Sequence, residues 1–258
     1  MNKGAGLLYI ATGQRFLAEA EMSARSAKLV MPDIPIVLAS DCKSDSAHFD
    51  RQIKIENPAY SFIDKILALK ETPFDKTIYL DTDTFVLSDV TDLFNLLNRF
   101  DIAAAFEPAR FLDQIRGIPL CFSELNTGVI LYKSVDAVFQ AIDEWYKLYA
   151  EEIEGMRAIG KKAWHDQYSF TKVIYEKNIS FYVLPQEYNA RILLPMQASG
   201  EVKIVHSRLK SPLSYATQLD CLNAEKDSVR LFNPNPRRLF ELTSTTLKLF
   251  CALNRHQR

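Results

Sequence analysis

The sequence lacks the features that mark several classes of protein. Its 258 residues contain no run of about 18 apolar side chains, so we expect no membrane-spanning helix. The apolar stretch near the N-terminus is too short for a signal peptide. The four cysteines are far apart and form no CxxC pair, which is typical of reduced thiols in a cytoplasmic protein and predicts no zinc site. With a net charge of −1, the chain is not expected to bind nucleic acid.

What the chain does contain is a regular alternation of short apolar runs with amphipathic patterns. This alternation favours an α/β fold in which a mostly parallel central sheet carries helices on both faces. The predicted strands are 7–10, 36–39, 77–80, 102–106, 128–132, 181–184 and 202–206, and the predicted helices are 14–30, 61–70, 90–98, 134–149 and 166–176.

The domain organisation expected from this pattern is one domain over residues 1–235, followed by an amphipathic helix and a basic tail over 236–258. The helix, predicted at 237–253, has an apolar stripe between basic ends. Such a helix packs on the core of its own domain or lies on an anionic membrane surface. We favour the first interpretation and keep peripheral membrane contact as a possibility for an otherwise cytoplasmic protein.

The first chemical signal is the pair of carboxylates Asp81 and Asp83, which directly follows the predicted strand 77–80. Ligands of open α/β sheets bind beyond the carboxyl ends of strands. Residues i and i+2 of an extended segment point the same way, so both carboxylates can hold one hard divalent cation together with phosphate oxygens. The alternative is a loop of solvated or capping aspartates.

The segment around this pair, DKILALKETPFDKTIYLDTDTFVL, resembles the donor site of glycosyltransferase family eight, whose members have the GT-A fold. The resemblance implies a nucleotide-diphosphate sugar as donor, with Asp81, Thr82 and Asp83 at the diphosphate and Mn²⁺ or Mg²⁺ as the cation. Lys65 stands 16 residues before Asp81, as the family's lysine does, and is expected to lie over the sugar-diphosphate. The alternative for Lys65 is a solvated side chain on a surface helix.

Two further motifs resemble the part of this family's site that holds the transferred sugar. Asn126 and Gly128 match the family's N-S/T-G-V strand entry, which implies that Asn126 bonds sugar hydroxyls and that Gly128 allows close backbone approach. Asp166 and Gln167 match its D-Q pair, whose acid binds the donor sugar. A bulge glycine and an N-cap aspartate are the structural alternatives.

A late histidine, His206, ends the predicted strand 202–206, where the family has its third metal ligand. A lone histidine after a strand is otherwise more often structural. Beyond it the chain departs from the family, because Pro212 stands where the family has a lysine that grips the diphosphate. Arg208 and Lys210 are the candidates to replace that lysine.

The nucleoside is expected near the ends of the first two strands. The resemblance places the uridine there, with Thr12 as the matching hydroxyl, and Tyr9 is expected to stack on the base. Asp41 follows the second strand, at a position suited to the base or ribose. Each of these residues can equally belong to turn chemistry.

These observations predict a metal-dependent glycosyltransferase that moves a hexose from a UDP-sugar to an acceptor hydroxyl on a glycan, lipid or protein, with retention of configuration. An inverting enzyme would need a base, for which Glu124 and Asp113 are candidates. The DxDxT-like string also allows a haloacid-dehalogenase-type phosphohydrolase, with Asp81 as nucleophile. A non-catalytic nucleotide-sugar-binding protein is the third possibility.

Overall fold

The computed structural model describes residues 4–108, 117–161, 165–192, 194–208, 222–223, 226–227 and 229–232. The strands are β1 (Ala5–Ala11), β2 (Ile36–Ser40), β3 (Arg51–Lys54), β4 (Lys76–Leu80), β5 (Thr84–Val86), β6 (Ile102–Phe106), β7 (Leu125–Lys133), β8 (Phe181–Leu184), β9 (Met196–Ala198), β10 (Ile204–His206) and β11 (Arg230–Phe232). The α-helices are α1 (Gln14–Val30), α2 (Phe62–Ala68), α3 (Asp136–Ala158) and α4 (Gln167–Glu176), and short 3₁₀ helices span Leu69–Glu71, Thr91–Asn98 and Gln186–Tyr188.

Within the described residues, seven strands form the central sheet in the order β3-β2-β1-β4-β7-β6-β8. All neighbouring pairs are parallel except those of β7, which runs antiparallel to both β4 and β6. Consecutive residues of β1, such as Leu7 and Leu8, are both 0% exposed because helices cover the two faces of the sheet. The prediction of a mostly parallel sheet with helices on both faces is confirmed.

Each face of the sheet has its own hydrophobic layer. On one face, α1 buries a stripe of small residues against alternate residues of the strands, and on the other face α2, α3 and α4 pack together. The α1 layer includes Leu17, Ala20, Ala24, Leu7, Tyr9 and Leu38. The opposite layer includes Ile66, Trp145, Phe170, Leu8, Tyr79 and Tyr132.

Several elements differ from the expected ones, and the short strands β5, β9 and β11 were not predicted at all. α3 continues to Ala158 rather than ending near 149, because the residues after the apolar stripe are strong helix formers, and it stops before Gly160, whose φ is +71°. The segment predicted as a helix at 90–98 is a 3₁₀ helix, Thr91–Asn98. The edge strand β3 escaped prediction because its sequence, RQIK, is polar, as is usual for sheet edges.

Two small antiparallel pairs, β5–β10 and β9–β11, lie outside the central sheet. β10 is the strand expected at 202–206, but it begins only at Ile204. The predicted helix 237–253 and the segment 236–258 lie outside the described residues, so the boundary at 235 stays a prediction. Among the helices that the structure describes, none has the length and apolar character needed to cross a bilayer.

Candidate active site

The two aspartates and the late histidine meet at the carboxyl end of β4. Asp81 follows β4, Asp83 precedes β5, and β10 pairs with β5 so that His206 lies opposite Thr84. The Nε2 atom of His206 is 3.6 Å from Asp81 Oδ2 and 3.4 Å from Asp83 Oδ1. One donor atom from each of the three residues lies within 4.8 Å of the others. The predicted convergence of the three side chains is therefore present.

Surrounding groups hold both carboxylates in place. The hydroxyl of Tyr79 donates to Asp81 Oδ1, and Lys65 Nζ is 3.6 Å from the same oxygen, which leaves Asp81 Oδ2 towards His206. Burial by itself raises the pKa of Asp83, but attraction to the His206 ring when that ring is protonated, together with Arg208, outweighs burial and lowers that pKa. Asp83 is thus an anion at neutral pH.

The imidazole of His206 is 5% exposed and packs directly on Gly128. A Cβ atom at position 128 would lie 1.9 Å from His206 Cε1, so only glycine fits there. The close approach expected at Gly128 is therefore made by the histidine ring of the protein itself. On the other side of the ring, Nδ1 is 2.8 Å from Asn189 Oδ1.

Lys65 is not a surface lysine, since it is only 6% exposed. Its ammonium group is 2.8 Å from Asp166 Oδ2 and donates to Thr127 Oγ1 at 3.0 Å. Burial alone would lower the pKa of Lys65, but attraction to Asp166 and Asp81 outweighs it and raises the pKa. Lys65 therefore carries a buried, paired positive charge at the floor of the site.

Asp166 directly precedes α4, yet its carboxylate does not cap that helix. It accepts hydrogen bonds from Thr127 Oγ1 at 2.8 Å and pairs with Lys65, and its side chain is 1% exposed. The alternative interpretation of Asp166 as a mere N-cap is wrong, because the lysine charge draws the carboxylate into the interior.

Asn126 and Gln167 lie beside this ion pair in a buried polar network. The Nδ2 group of Asn126 donates to Glu107 Oε2 at 2.7 Å and to Gln167 Oε1 at 2.8 Å. Its Oδ1 accepts from the backbone N–H of Gly128 and from Asn189 Nδ2. Since Asn126 is 0% exposed and all four of its bonding positions are used within the protein, it does not reach a sugar hydroxyl directly.

Further acids surround the buried network. Glu124 is 8% exposed and accepts from Gln167 Nε2, and burial is the main reason why its pKa is raised, with Glu107 adding to the effect and Gln167 opposing it. Glu152, on α3, has a pKa raised to about 7 by burial and by repulsion from Asp166 and Glu124. The other candidate base, Asp113, lies outside the described residues.

The aspartates line one end of a pocket of about 240 Å³. The lining residues include a charged group, Lys65, Asp81, Asp83 and Arg208, and a second group, Ile10, Thr12, Phe16 and Tyr60. Because the sequence analysis expected the nucleoside near Thr12, the second group is called the nucleoside end below.

Tyr9 does not belong to this pocket, which corrects the expectation that it stacks on a base. It is 0% exposed, its hydroxyl is bonded to Ser23 on α1, and its edge contacts Phe49. Side chains alternate along a strand, so it is Ile10 and Thr12 that line the pocket, while Tyr9 points into the α1 layer.

Two aromatic residues that the sequence interpretation missed stand at the nucleoside end instead. Phe16 is 38% exposed, and Tyr60 is 67% exposed with a φ of +51°, a rare value for a bulky residue. The hydroxyl of Tyr60 donates to Asp41 Oδ2 at 3.2 Å, and Asp41 Oδ1 accepts from the N–H of Gly13. The hydroxyl of Thr12 donates to Asp64 Oδ2, on α2, at 3.1 Å.

Arg208 is the candidate replacement for the lysine of the family pattern that the structure describes, since Lys210 and Pro212 lie outside the described residues. Its side chain is 50% exposed, and its guanidinium lies 3.4 Å from Glu19, 3.9 Å from Asp83 and 5.5 Å from the ring centre of Phe16. Glu19 also accepts from Thr82 Oγ1, so Thr82 supports the turn between the aspartates.

Similar proteins are found among solved structures but not by sequence. No protein-family model matches the chain, and no curated protein sequence matches it. The galactosyltransferase LgtC, solved in complex with donor and acceptor sugar analogs, superposes with a TM-score of 0.54 over 87% of this chain and 97% of LgtC, at 14% identity. This chain has the GT-A glycosyltransferase fold.

A second GT-A structure supports the same assignment. The glycosyltransferase GlyE of Streptococcus pneumoniae TIGR4 matches with a TM-score of 0.54 at 19% identity, over 73% of this chain and 47% of GlyE. The chain thus spans about half the length of GlyE. The GT-A fold expected from the family resemblance is confirmed, at identities low enough that the likeness concerns the fold.

Proposed function

We propose that this protein is a metal-dependent glycosyltransferase that uses a UDP-hexose as donor. The observation that carries the proposal is the meeting of Asp81, Asp83 and His206 at the mouth of a pocket in a GT-A fold. Three donor groups from two distant parts of the chain converge there beside two cations, Lys65 and Arg208.

The donor set fits a divalent cation of the Mn²⁺ or Mg²⁺ type. Two carboxylates and one imidazole provide oxygen and nitrogen ligands, and His206 Nε2 faces both carboxylates. Asp81, Asp83 and His206 would hold the ion. When bound, such a cation supplies positive charge and Lewis acidity to the phosphates of the donor.

The two cations of the site have different roles in this proposal. Lys65 shares its charge with Asp81 and Asp166, so it chiefly holds these two carboxylates in position. Arg208 is half exposed and less committed, so it is the group that neutralises the diphosphate as charge develops on the leaving nucleotide. It replaces the family lysine whose position is occupied by Pro212.

The nucleoside end suits a flat base. Phe16 and Tyr60 offer exposed aromatic surfaces, and Asp41 fixes the hydroxyl of Tyr60. Asp166 and Gln167 are buried and do not line the pocket, so in this proposal they support the donor site indirectly, Asp166 by holding Lys65 and Gln167 through its bond to Asn126. We propose retention of configuration because Glu124, the described candidate base, is buried and already bonded to Gln167.

The two alternative functions make different demands on the same residues. A phosphohydrolase would need Asp81 as a free nucleophile, whereas its oxygens contact Tyr79 and Lys65 on one side and His206 on the other. The GT-A topology also argues against it. A non-catalytic sugar-nucleotide binder would share the site, and only turnover separates it from an enzyme.

The test is thermal stabilisation and donor turnover with UDP, GDP and CDP and their sugars, each with and without Mn²⁺. We expect stabilisation by UDP that depends on the metal, because the ion joins protein and diphosphate, and hydrolysis of one UDP-hexose. Equal stabilisation by GDP and CDP contradicts the uridine assignment. Binding without hydrolysis or transfer, over a panel of glycan, lipid and protein acceptors, supports the non-catalytic alternative.

Peripheral membrane contact is a separate proposal that rests on the sequence of 237–253. Co-sedimentation of the full chain, and of a chain lacking 237–258, with anionic liposomes tests it. If the full chain stays in the supernatant, the membrane proposal is wrong.

A further inference from the structure

A continuous line of side-chain amides connects two buried carboxylates to His206. It consists of Gln167, Asn126 and Asn189, which we call the amide relay. Glu124 and Glu107 lie at its beginning and His206 at its end, and every step is 2.7–2.8 Å long. Asn126 and Asn189 are 0% exposed, so water does not replace a partner there.

The carboxylates fix the direction of the relay at its beginning. A carboxylate only accepts hydrogen bonds, so Gln167 must present its NH₂ group to Glu124 and its oxygen to Asn126. For the same reason Asn126 presents its NH₂ group to Glu107 and Gln167. Arg191 also donates to Glu107 Oε2, at 3.3 Å.

A backbone group fixes the direction a second time. The N–H of Gly128 donates to Asn126 Oδ1 at 2.9 Å, so the oxygen of Asn126 must be on that side. Asn189 therefore donates from Nδ2 to Asn126 Oδ1, which turns its own oxygen towards Nδ1 of His206. Since that oxygen only accepts, Nδ1 of His206 must carry the proton.

We propose that Asn189 is a positioning residue that holds the proton of His206 on Nδ1 and leaves the lone pair of Nε2 facing Asp81 and Asp83. The proposal rests on the proposed metal site. A metal-ligating histidine needs this lone pair, and the group bonded to its other nitrogen determines which tautomer is present. A free imidazole favours the opposite tautomer, so without Asn189 part of the site would present an N–H to the cation.

The tautomer is measurable directly in the metal-free protein. Long-range ¹H–¹⁵N correlation spectra, recorded at a pH where the ring is neutral, report which nitrogen carries the proton. The chain has four histidines, and His206→Gln identifies the signals of this one. We expect a protonated Nδ1 and an unprotonated Nε2. A proton on Nε2 in the wild-type protein overturns the proposal without any further variant.

Two substitutions separate hydrogen bonding from packing. Asn189→Leu keeps the approximate shape and removes the acceptor, so we expect a mixed tautomer and Mn²⁺ affinity weakened about 10- to 100-fold. Asn189→Asp keeps an acceptor for Nδ1 and should restore the tautomer. Asn98→Leu, the same change at an exposed residue bonded to Lys76, is the control and should leave Mn²⁺ affinity unchanged.

Wild-type tautomer and wild-type Mn²⁺ affinity in Asn189→Leu would overturn the proposal. If that variant does not fold, as judged by its amide spectrum, the wild-type measurement and Asn189→Asp still decide. A protein that shows the expected tautomer and loses Mn²⁺ affinity in Asn189→Leu, yet transfers no sugar, supports the relay and contradicts the proposed function. The two failures are therefore distinguishable.

Discussion

Tyr60 and Phe16 line the pocket with 67% and 38% of their surface exposed, and we call this part the open end. Asp166 and Asn126, in the buried network around Lys65, are 1% and 0% exposed, and we call this part the closed end. The open end has aromatic surface and few fixed polar contacts. The closed end has paired charges and a polar network in which each group is bonded to the next.

This difference follows from the cost of burying polar groups. A charge that is removed from water must be paired, so each partner at the closed end depends on the others. An aromatic ring at the open end is exposed to water, so its removal should leave the fold intact and affect only the binding of the proposed donor. Substitutions at the closed end should therefore act through charge and the proposed metal site. Substitutions at the open end should act through the affinity for the proposed donor.

The largest effect is expected between the two ends, at Asp83. Asp83→Asn removes a charge from the proposed metal site and should lower donor turnover at least about 100-fold, the scale of losing a central electrostatic group. The melting temperature should change little, because Asp83 lies in a strand-end turn outside the main core. Asp45→Asn, at an exposed aspartate, is the matched control and should keep full activity. Near-normal turnover in Asp83→Asn would contradict the site.

A large effect on stability is expected at the closed end. Asp166→Asn leaves the buried ammonium of Lys65 without its nearest carboxylate, which should lower the free energy of unfolding by about 3 kcal/mol in urea denaturation. A double variant, Lys65→Met with Asp166→Leu, removes both charges. It should therefore recover much of this stability but not the activity. Breaking the exposed pair of Lys43 and Asp45 should leave unfolding unchanged. Equal effects of both pairs would remove the distinction between the ends.

A moderate effect confined to binding is expected at the open end. Tyr60→Ala should raise the Kd for UDP about tenfold, since stacking of a base on an aromatic ring contributes about 1–3 kcal/mol. Turnover at saturating donor and the melting temperature should stay close to wild type. Tyr60→Phe keeps the ring and loses only the bond to Asp41, so it should bind nearly as well. If Tyr60→Ala binds UDP normally, the base lies elsewhere.

The smallest effect concerns the pH dependence of stability at the closed end. Glu152 has a pKa raised to about 7 from 4.5, so its ionisation costs stability as the pH rises between these values. Glu152→Gln should therefore be more stable than wild type above pH 7, by about 1 kcal/mol after allowance for solvent, and equal to it near pH 4.5. Denaturation curves at both pH values check this, and an equal difference at both would contradict the shifted pKa.

Several features of the site were predictable because local chemistry determines them. Asp81 and Asp83 follow a mostly apolar strand, and strand ends of an α/β sheet collect ligands, so their place at a candidate site was predictable from the sequence. His206 was found by the same reasoning together with the family resemblance. Asn189 was missed, because an asparagine in a turn carries no signal of the histidine that it contacts.

The sequence by itself determined the order of the main buried strands and the α-helices, the α/β class and the carboxylate turn, since the periodicity of apolar residues and the position of charges after a strand are local properties. Only the tertiary structure decided the partners of each polar group. It turned Tyr9 into the core and placed Tyr60 at the pocket, paired Lys65 with Asp166, and brought Gly128 against His206. These outcomes depend on which strands become neighbours, because β5 and β10, far apart in the chain, must pair before Asp81, Asp83 and His206 meet.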